Sequence, residues 1–282
     1  MSQLPWQNQP RTSVVPISIE DYDKARSQYM GSHMLELFRF SPRQCQWKMQ
    51  GLVPSTTKSY YDFGRALHCF VLEGATAFHE RYQVAEGPVN PKTGNPYGRD
   101  TKAYESWYEE ITADGRQICS GVEYTQIQMM AESLQESCAR DLLHCGHPEI
   151  TIRGQMHGVS CQSRLDFVDF DQAILVDLKT TESLGRFEKD FWKFGYHRQM
   201  AFYRGMLDGT NIRPAWQVFV IAIEKAEPYR CHAWPISEAT LSSADEENKQ
   251  NLLQFRQLVN KMGWDKPWPL SLEYGRSLGN PL

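Results

Sequence analysis

The segment RLDFVDFDQAILVDLKTT, residues 164–181, constrains the fold of this chain more than any other. β-branched residues recur along it, and FDQ at 170–172 interrupts the run. That pattern predicts two strands joined by a tight turn. With the span before it, and Gly158 between, the prediction becomes three consecutive antiparallel strands over 149–156, 160–170 and 172–180. Residues two apart on a strand point to the same face. Asp177 and Lys179 thus project together while Leu178 turns into the core, and the turn carries Asp166 of the preceding strand alongside. Two carboxylates then stand beside one ammonium at a sheet edge.

Around this meander the periodicity is helical. Residues 33–50 predict a helix that stops before Gly51 and Pro54. The tetrapeptide GSHM at 31–34 resembles a tag remnant, but it runs straight into LELFRF and reads as the start of that helix, with Ser32 as N-cap. Residues 59–74 predict a second, mostly buried helix closed by Gly74, and further helices fit 99–113, 121–144, 185–208 and 237–262. Strands fit 216–224 and 228–236. The stretch 86–98 holds three prolines and three glycines and is a loop. Residues 1–16 show no periodicity and read as a flexible arm; the Pro/Gly-rich tail after residue 262 reads as irregular coil. The order of elements predicts an α/β (α+β) domain spanning 17–282. It has a mixed central β-sheet flanked by helices, an N-terminal helical layer over about 32–145, and a core over about 146–262 that carries the chemistry.

Composition excludes several classes. No run reaches the ~18 apolar residues needed to span a bilayer. The N-terminus has neither a basic nor an apolar targeting segment, so a cytoplasmic location is expected. Seven scattered cysteines form no CxxC pair, which argues against a zinc ribbon, a disulfide framework or an iron–sulfur cluster; they read as small buried hydrophobes. A net charge of −4 argues against a protein that coats nucleic acid, yet it allows an enzyme with a local basic channel.

The groups gathered by the meander suit phosphodiester hydrolysis. Carboxylate oxygens hold Mg²⁺, the metal stabilises phosphate charge and lowers the pKa of a bound water, and a lysine orients that water. Asp-x-Lys alone is more often a solvated strand end; Asp166 on the neighbouring strand brings the two readings level. Glu149, just before the first strand, is either a third carboxylate or a surface residue. His68 lies in an apolar helix beside Leu67, Cys69 and Phe70, where a core histidine is the commoner outcome. Gln199 and Tyr203, one turn apart on a helix, share a face able to contact phosphate or to pack. Arg186, Lys189, Lys193, His197, Arg198 and Arg204 form a basic run, interrupted by Glu188 and Asp190 and interleaved with aromatics, which suits either a DNA track or an amphipathic helix. Arg65 and Arg164 flank the same region, and a guanidinium suits a terminal 5′-phosphate. KTGNPYG at 92–98 lacks the P-loop spacing and is a turn. The tryptophans at 234, 264 and 268 read as packing residues.

The order GRALH (64–68), Glu149, RLD (164–166), DLK (177–179) and QMAFY (199–203) resembles the RecB-family branch of the PD-(D/E)XK nucleases. SPRQCQWKMQG, FGRALHCFVLEG and HPEITIRG extend the likeness to the catalytic domain of RecE-type exonucleases and their phage relatives, over roughly residues 33–225. One position departs, since Ser163 precedes RLD where the family carries glycine. The resemblance implies a restriction-endonuclease-like fold and Mg²⁺, with Mn²⁺ as a substitute. It implies that His68, Asp166, Asp177 and the Leu178 carbonyl hold metal, that Glu149 is an outer or second-metal ligand, and that Lys179 positions the attacking water. Gln199 and Tyr203, with Arg65, Arg164 and Arg198 near them, would contact DNA. It further implies an exonuclease on linear duplex ends, working 5′→3′ to expose 3′ single strands for an annealing protein, and assembled as a trimer or tetramer. The alternatives are a RecB-like nuclease of other polarity, an endonuclease, or an inactive DNA-binding module, against which the intact Asp166, Asp177 and Lys179 stand.

Overall fold

The computed structural model describes residues 12–53, 63–213 and 215–272. In chain order it contains β1 (Ser13–Val14), α1 (Ile19–Lys24), α2 (Ser32–Phe40), α3 (Pro42–Met49), α4 (Phe63–His68), α5 (Gly74–Arg81), β2 (Tyr82–Val84), α6 (Lys102–Ile111), β3 (Gln117–Cys119) and α7 (Gly121–Glu136). There follow β4 (His147–Met156), β5 (Val159–Asp169), β6 (Ile174–Thr181), α8 (Leu184–Lys193), α9 (Tyr196–Asp208), β7 (Gln217–Glu224), β8 (Cys231–Pro235) and α10 (Glu238–Met262). Six strands form one mixed sheet in the order β1-β4-β5-β6-β7-β8. Only β6 and β7 run parallel, because α8 and α9 carry the chain back across the sheet between them. The expected α/β architecture with a mixed sheet is therefore present.

Local chemistry explains the meander. Val159 pairs with Met156 around a two-residue turn in which His157 (φ 52) and Gly158 (φ 78) both adopt left-handed backbone, as a tight hairpin with right-handed strand twist requires. At the next turn the Asp169 carboxylate accepts hydrogen bonds from the Asp171 and Gln172 amides at 2.8 and 2.9 Å. That contact closes the predicted reversal near 170–172.

Two cores lie on opposite faces of the sheet. One joins Leu35, Phe38 and Met49 to Phe202, Leu207, Leu252 and Trp268; the other joins Leu67, Phe78, Ile127, Met130 and Leu134 to Val176, Leu178 and Ile223. The helices expected as one N-terminal layer are thus divided, with α2 and α3 on one face and α4, α5 and α7 on the other.

Other expectations need correction. The helix over 33–50 is two helices, because Ser41 is extended and caps Gln44 at 3.4 Å, while Pro42 opens the next helix. Gly31, not Ser32, is the N-cap of α2. The second helix does not end at Gly74: a π-helical turn over Cys69–Glu73 leads through Gly74 into α5. The span 185–208 breaks at Gly195 (φ 72). β2 and β3 form a small parallel pair that the sequence pattern did not announce. The expected arm over 1–16 is held down where it is described: Ser13 and Val14 pair with Arg153 and Ile152, and the Val15 amide donates to Thr151. An edge strand of two residues is too short to show a period. Residues 1–11 lie outside the described residues.

Residues 263–272 of the tail are irregular, as expected, yet anchored; residues 273–282 lie outside the described residues. Buried Gln46 donates to the Trp264 and Lys266 carbonyls at 3.0 and 2.8 Å and accepts from the Trp268 amide at 2.9 Å. Trp264 and Trp268 pack, as read from the sequence. Of the cysteines, Cys138 and Cys145 are exposed instead of buried. Among the described residues no helix is long and apolar enough to cross a membrane.

Candidate active site

The ladder between β5 and β6 pairs Asp169 with Ile174, Val168 with Leu175 and Phe167 with Val176, and stops there. The strands part where Asp166 and Asp177 come next. The Leu178 amide, released from the ladder, donates to Asp166 Oδ2 at 2.8 Å. On the other side of β5, Pro148 pairs with Phe167 and Ile150 with Leu165, so Glu149 lies opposite Asp166. Glu149 adopts φ 54, a left-handed conformation that costs a non-glycine residue roughly 1–3 kcal/mol. The sheet is distorted around this pair: Leu165 packs in one core and Phe167 in the other, although strict alternation would put both on one face.

His68 ends α4, immediately before the π-helical turn. Its Nδ1 lies 3.5 Å from Asp166 Oδ2, and the Leu178 backbone is within its hydrogen-bonding reach. Ligand atoms of His68, Glu149 and Asp166 all fall within 4.8 Å of one another. Asp177 stands apart from that trio. It is 1% exposed and forms an ion pair with Lys179; otherwise neither of its oxygens has a hydrogen-bond partner among the described residues.

Burial governs the charge states. It pushes Asp177 up to about 6, against the pull of Lys179 and with a further push from Asp166. It also raises Asp166 and Glu149, the latter helped by the Asp166 charge. Burial opposes the charge of Lys179, but Asp177 and Asp166 more than offset it and the ammonium is stabilised. His68 is pushed down, first by burial and then by Lys179, and so stays a neutral imidazole able to ligate. A cluster of acids this deeply desolvated favours a cation. Its oxygen and imidazole donors, with the Asp177 oxygens that meet only Lys179 among the described residues, fit a hard divalent ion such as Mg²⁺.

Residues 31–267 match the family described as "PDDEXK-like domain of unknown function (DUF3799)". The chain belongs to this family. No curated protein matches it. The fold is similar to the crystal structure of a "Putative exonuclease" from Eubacterium rectale, with TM-score 0.63 and 14% identity over 95% of this chain and 96% of that one. A "phage related exonuclease" from Haemophilus somnus 129PT aligns at TM-score 0.32 and 15% identity over 73% of this chain and 98% of that one. The PD-(D/E)XK resemblance read from the sequence is borne out.

The remaining candidates of this PDDEXK-like domain are placed as follows. Arg164 reaches Glu149 Oε2 at 2.5 Å and Thr151 Oγ1 at 3.0 Å, so it serves the carboxylate cluster. Arg65 is exposed on α4. Gln199 and Tyr203 are buried and bonded to each other at 2.8 Å, with the Tyr203 hydroxyl in the field of Asp177 and Asp166. They lie behind the carboxylates, not on an outer surface. Arg198 stands inside the fold. It is buried and clamped by Glu36 at 2.8 and 2.7 Å, tying α9 to α2. The basic run is thereby divided: Arg204 pairs with Glu238, while Arg186, Lys189 and Lys193 on α8 are exposed.

Two neighbours of the site escaped the sequence reading. The Lys179 ammonium sits over the Tyr196 ring, 5.0 Å from its centroid. Tyr196, Gln199 and Tyr203 are spaced i, i+3, i+7 and so share one helix face, a signal that was present. His33 on α2, exposed at its surface, lies in the field of Lys179 and Asp177. No sequence spacing indicates that proximity.

Proposed function

We propose that the chain is a Mg²⁺-dependent deoxyribonuclease that degrades linear duplex DNA from its ends, 5′→3′, leaving 3′ single strands for recombination. The observation that carries this reading is the convergence of Asp166, Asp177 and Lys179 at parted strands, with His68 and Glu149 within ligating distance of Asp166. The direction of digestion follows from the RecE-like motifs, as does a cytoplasmic enzyme assembled as a closed trimer or tetramer and working with a single-strand annealing protein. A ring around DNA gives processivity without sequence contacts.

In this mechanism His68, Asp166 and Glu149 would hold Mg²⁺, or Mn²⁺ in its place, joined by Asp177 and the Leu178 carbonyl as the family resemblance implies. The metal, when bound, supplies a lowered pKa for water and charge stabilisation for phosphate. Lys179 keeps its proton and orients the attacking water while steadying charge on the phosphate. Asp177 must lose its proton to take part, so activity rises as pH passes about 6. The Tyr196 ring beneath the ammonium fixes the lysine, and buried Gln199 and Tyr203 keep water from that side.

The test is digestion of end-labelled linear duplex, with and without 5′-phosphate, beside closed circular DNA, in Mg²⁺ and in EDTA. The expected result is 5′→3′ loss of label in Mg²⁺ only, with circles intact, together with a trimeric or tetrameric mass by light scattering. Full activity in EDTA overturns the metal chemistry. Nicking of circles by a monomer selects the endonuclease reading.

A further inference from the structure

Most arginines of this protein have a committed partner. Arg81 pairs with Glu73, Arg116 with Asp114, Arg164 with Glu149, Arg198 with Glu36, Arg204 with Glu238 and Arg230 with Glu224. The cations of α8 differ. Arg186, Lys189 and Lys193 are exposed and form no ion pair with the described residues, and their spacing of three and four residues sets them in one stripe along the helix. Beside the stripe stand two large exposed aromatics, Trp192 (49% exposed) and Phe194 (54% exposed). The opposite side of α8 supplies buried Phe187 and half-buried Phe191 to the core.

This surface is continuous with the candidate site. The Phe194 ring lies 5.9 Å from the Tyr196 ring, and the Tyr196 ring lies 5.0 Å from the Lys179 ammonium, both measured to centroids. Lys193 in turn sits over Phe194 at 5.1 Å. Aromatic faces two ring contacts from a nuclease lysine, lined by unpaired cations, carry the chemistry of a single nucleic-acid strand: phosphates for the ammonium groups and base faces for the rings.

We propose that the exposed edge of α8 is a docking platform for unpaired bases of a DNA strand, on which Trp192 and Phe194 stack while Arg186, Lys189 and Lys193 hold the phosphates. The proposal rests on the nuclease reading for the identity of the strand. Duplex DNA presents its phosphates but hides its base faces, so the rings select the strand that has been separated at an end. The platform thereby holds a frayed terminus beside the carboxylates and lets an end-directed enzyme advance without reading sequence.

The experiment uses the full-length protein in EDTA with oligonucleotides that carry 2-aminopurine in a single-stranded overhang, whose fluorescence is quenched by stacking. Wild type is expected to quench the overhang and to leave a blunt duplex carrying the same label in its interior unchanged. Trp192→Ala and Phe194→Ala should each weaken overhang binding about ten-fold and remove most of the quenching, while Trp192→Phe retains both. Lys189→Ala and Lys193→Ala should each make the dependence of log affinity on log salt shallower by about 0.7. Thermal melts of every variant report folding. Equal quenching and affinity in well-folded Trp192→Ala and Phe194→Ala proteins overturns the proposal. So does a change of assembly mass in those variants, which would assign the rings to a contact between two copies of the chain. Cleavage in Mg²⁺ is scored separately on wild type. Wild type that stacks the overhang but cuts nothing keeps the platform and removes the nuclease reading; wild type that cuts without quenching does the reverse.

Discussion

Two buried charge clusters stand on α9 and its neighbours, and they are built on opposite principles. Around Arg198 the signs balance: Arg198 and Arg39 meet Glu36 and Glu247, with the two closest contacts at 2.8 and 2.7 Å. Burial works against the charge of Glu36, but the arginines overcome it and its pKa falls. Around Asp166 the acids Glu149, Asp166 and Asp177 face only Lys179 and Arg164, His68 being held neutral, and the carboxylates are pushed up instead. A balanced cluster fixes three helices to one another. The acid-rich one, whose Asp177 is far more deeply buried than Glu36, stays short of positive charge and so favours a cation.

The sharpest way to break this contrast is to neutralise one acid in each cluster. Asp177→Asn should lower DNA cleavage by on the order of 10²–10³ or more. Its melting temperature in EDTA should stay level or rise, because a deeply desolvated carboxylate is gone while Asp166 still faces Lys179. Asp166→Asn should behave alike. A variant that melts as wild type and still cuts would place the chemistry elsewhere.

At the balanced cluster the effect should fall on folding. Arg198→Ala leaves Glu36 beside a vacated guanidinium site and should cost about 3 kcal/mol of unfolding free energy in a urea titration. DNA affinity of the folded fraction, and its salt slope, should not move. A shallower salt slope at unchanged stability would restore Arg198 to the DNA surface.

The pH dependences should also run in opposite directions. Asp177 rises from an ordinary 3.8 to about 6 on folding, so the stability it contributes without metal is fully present below pH 3.8 and is lost as pH climbs through about 6. Glu36 is lowered, so its contribution is present above its ordinary 4.5 and is lost as pH falls through its folded value. Mg²⁺ needs the ionised acids, and saturating ion should add roughly 2–3 kcal/mol of stability at pH 8 and little at pH 5. Calorimetric melts with and without Mg²⁺ at the two values measure the difference. A metal increment that is equal at both would show that the buried acids do not hold the ion.

How much of this was legible depends on range. The β-meander, the turn at 170–172 and the shared face of Asp177 and Lys179 are period-two facts over a few residues, and the sequence carries them in full. Ser41-Pro42 was a readable cap and helix start that a continuous helical pattern concealed. The meeting of His68 with Asp166 is non-local. The apolar helix around His68 argues for a core position, and only the order of the motifs argued otherwise. Arg198 shows the same limit in reverse. Its place in a basic run suggested DNA, but the carboxylate that claims it lies 162 residues away. Composition of a helix reports which charges it carries, not which neighbour neutralises them.

Gly195 lies where the two clusters come nearest in sequence. It separates α8 from α9 at φ 72, and Tyr196, the next residue, carries the ring under Lys179. A β-carbon at Gly195 would stand 2.7 Å from Arg198 Nη2. A free arginine tip would swing aside, but this one is held by Glu36, so the helix start must shift instead. Left-handed backbone adds its own cost for alanine. Gly195→Ala should therefore destabilise the fold by about 1–2 kcal/mol, the smallest effect foreseen here and equivalent to a few degrees of melting temperature in a chain of this size. Because the shift acts on Tyr196 as well, turnover should fall several-fold while Mg²⁺ affinity holds, since none of the carboxylates is on α9. A drop in stability with turnover unchanged would show that the lysine is positioned by Asp177 alone, and that the two clusters are mechanically independent.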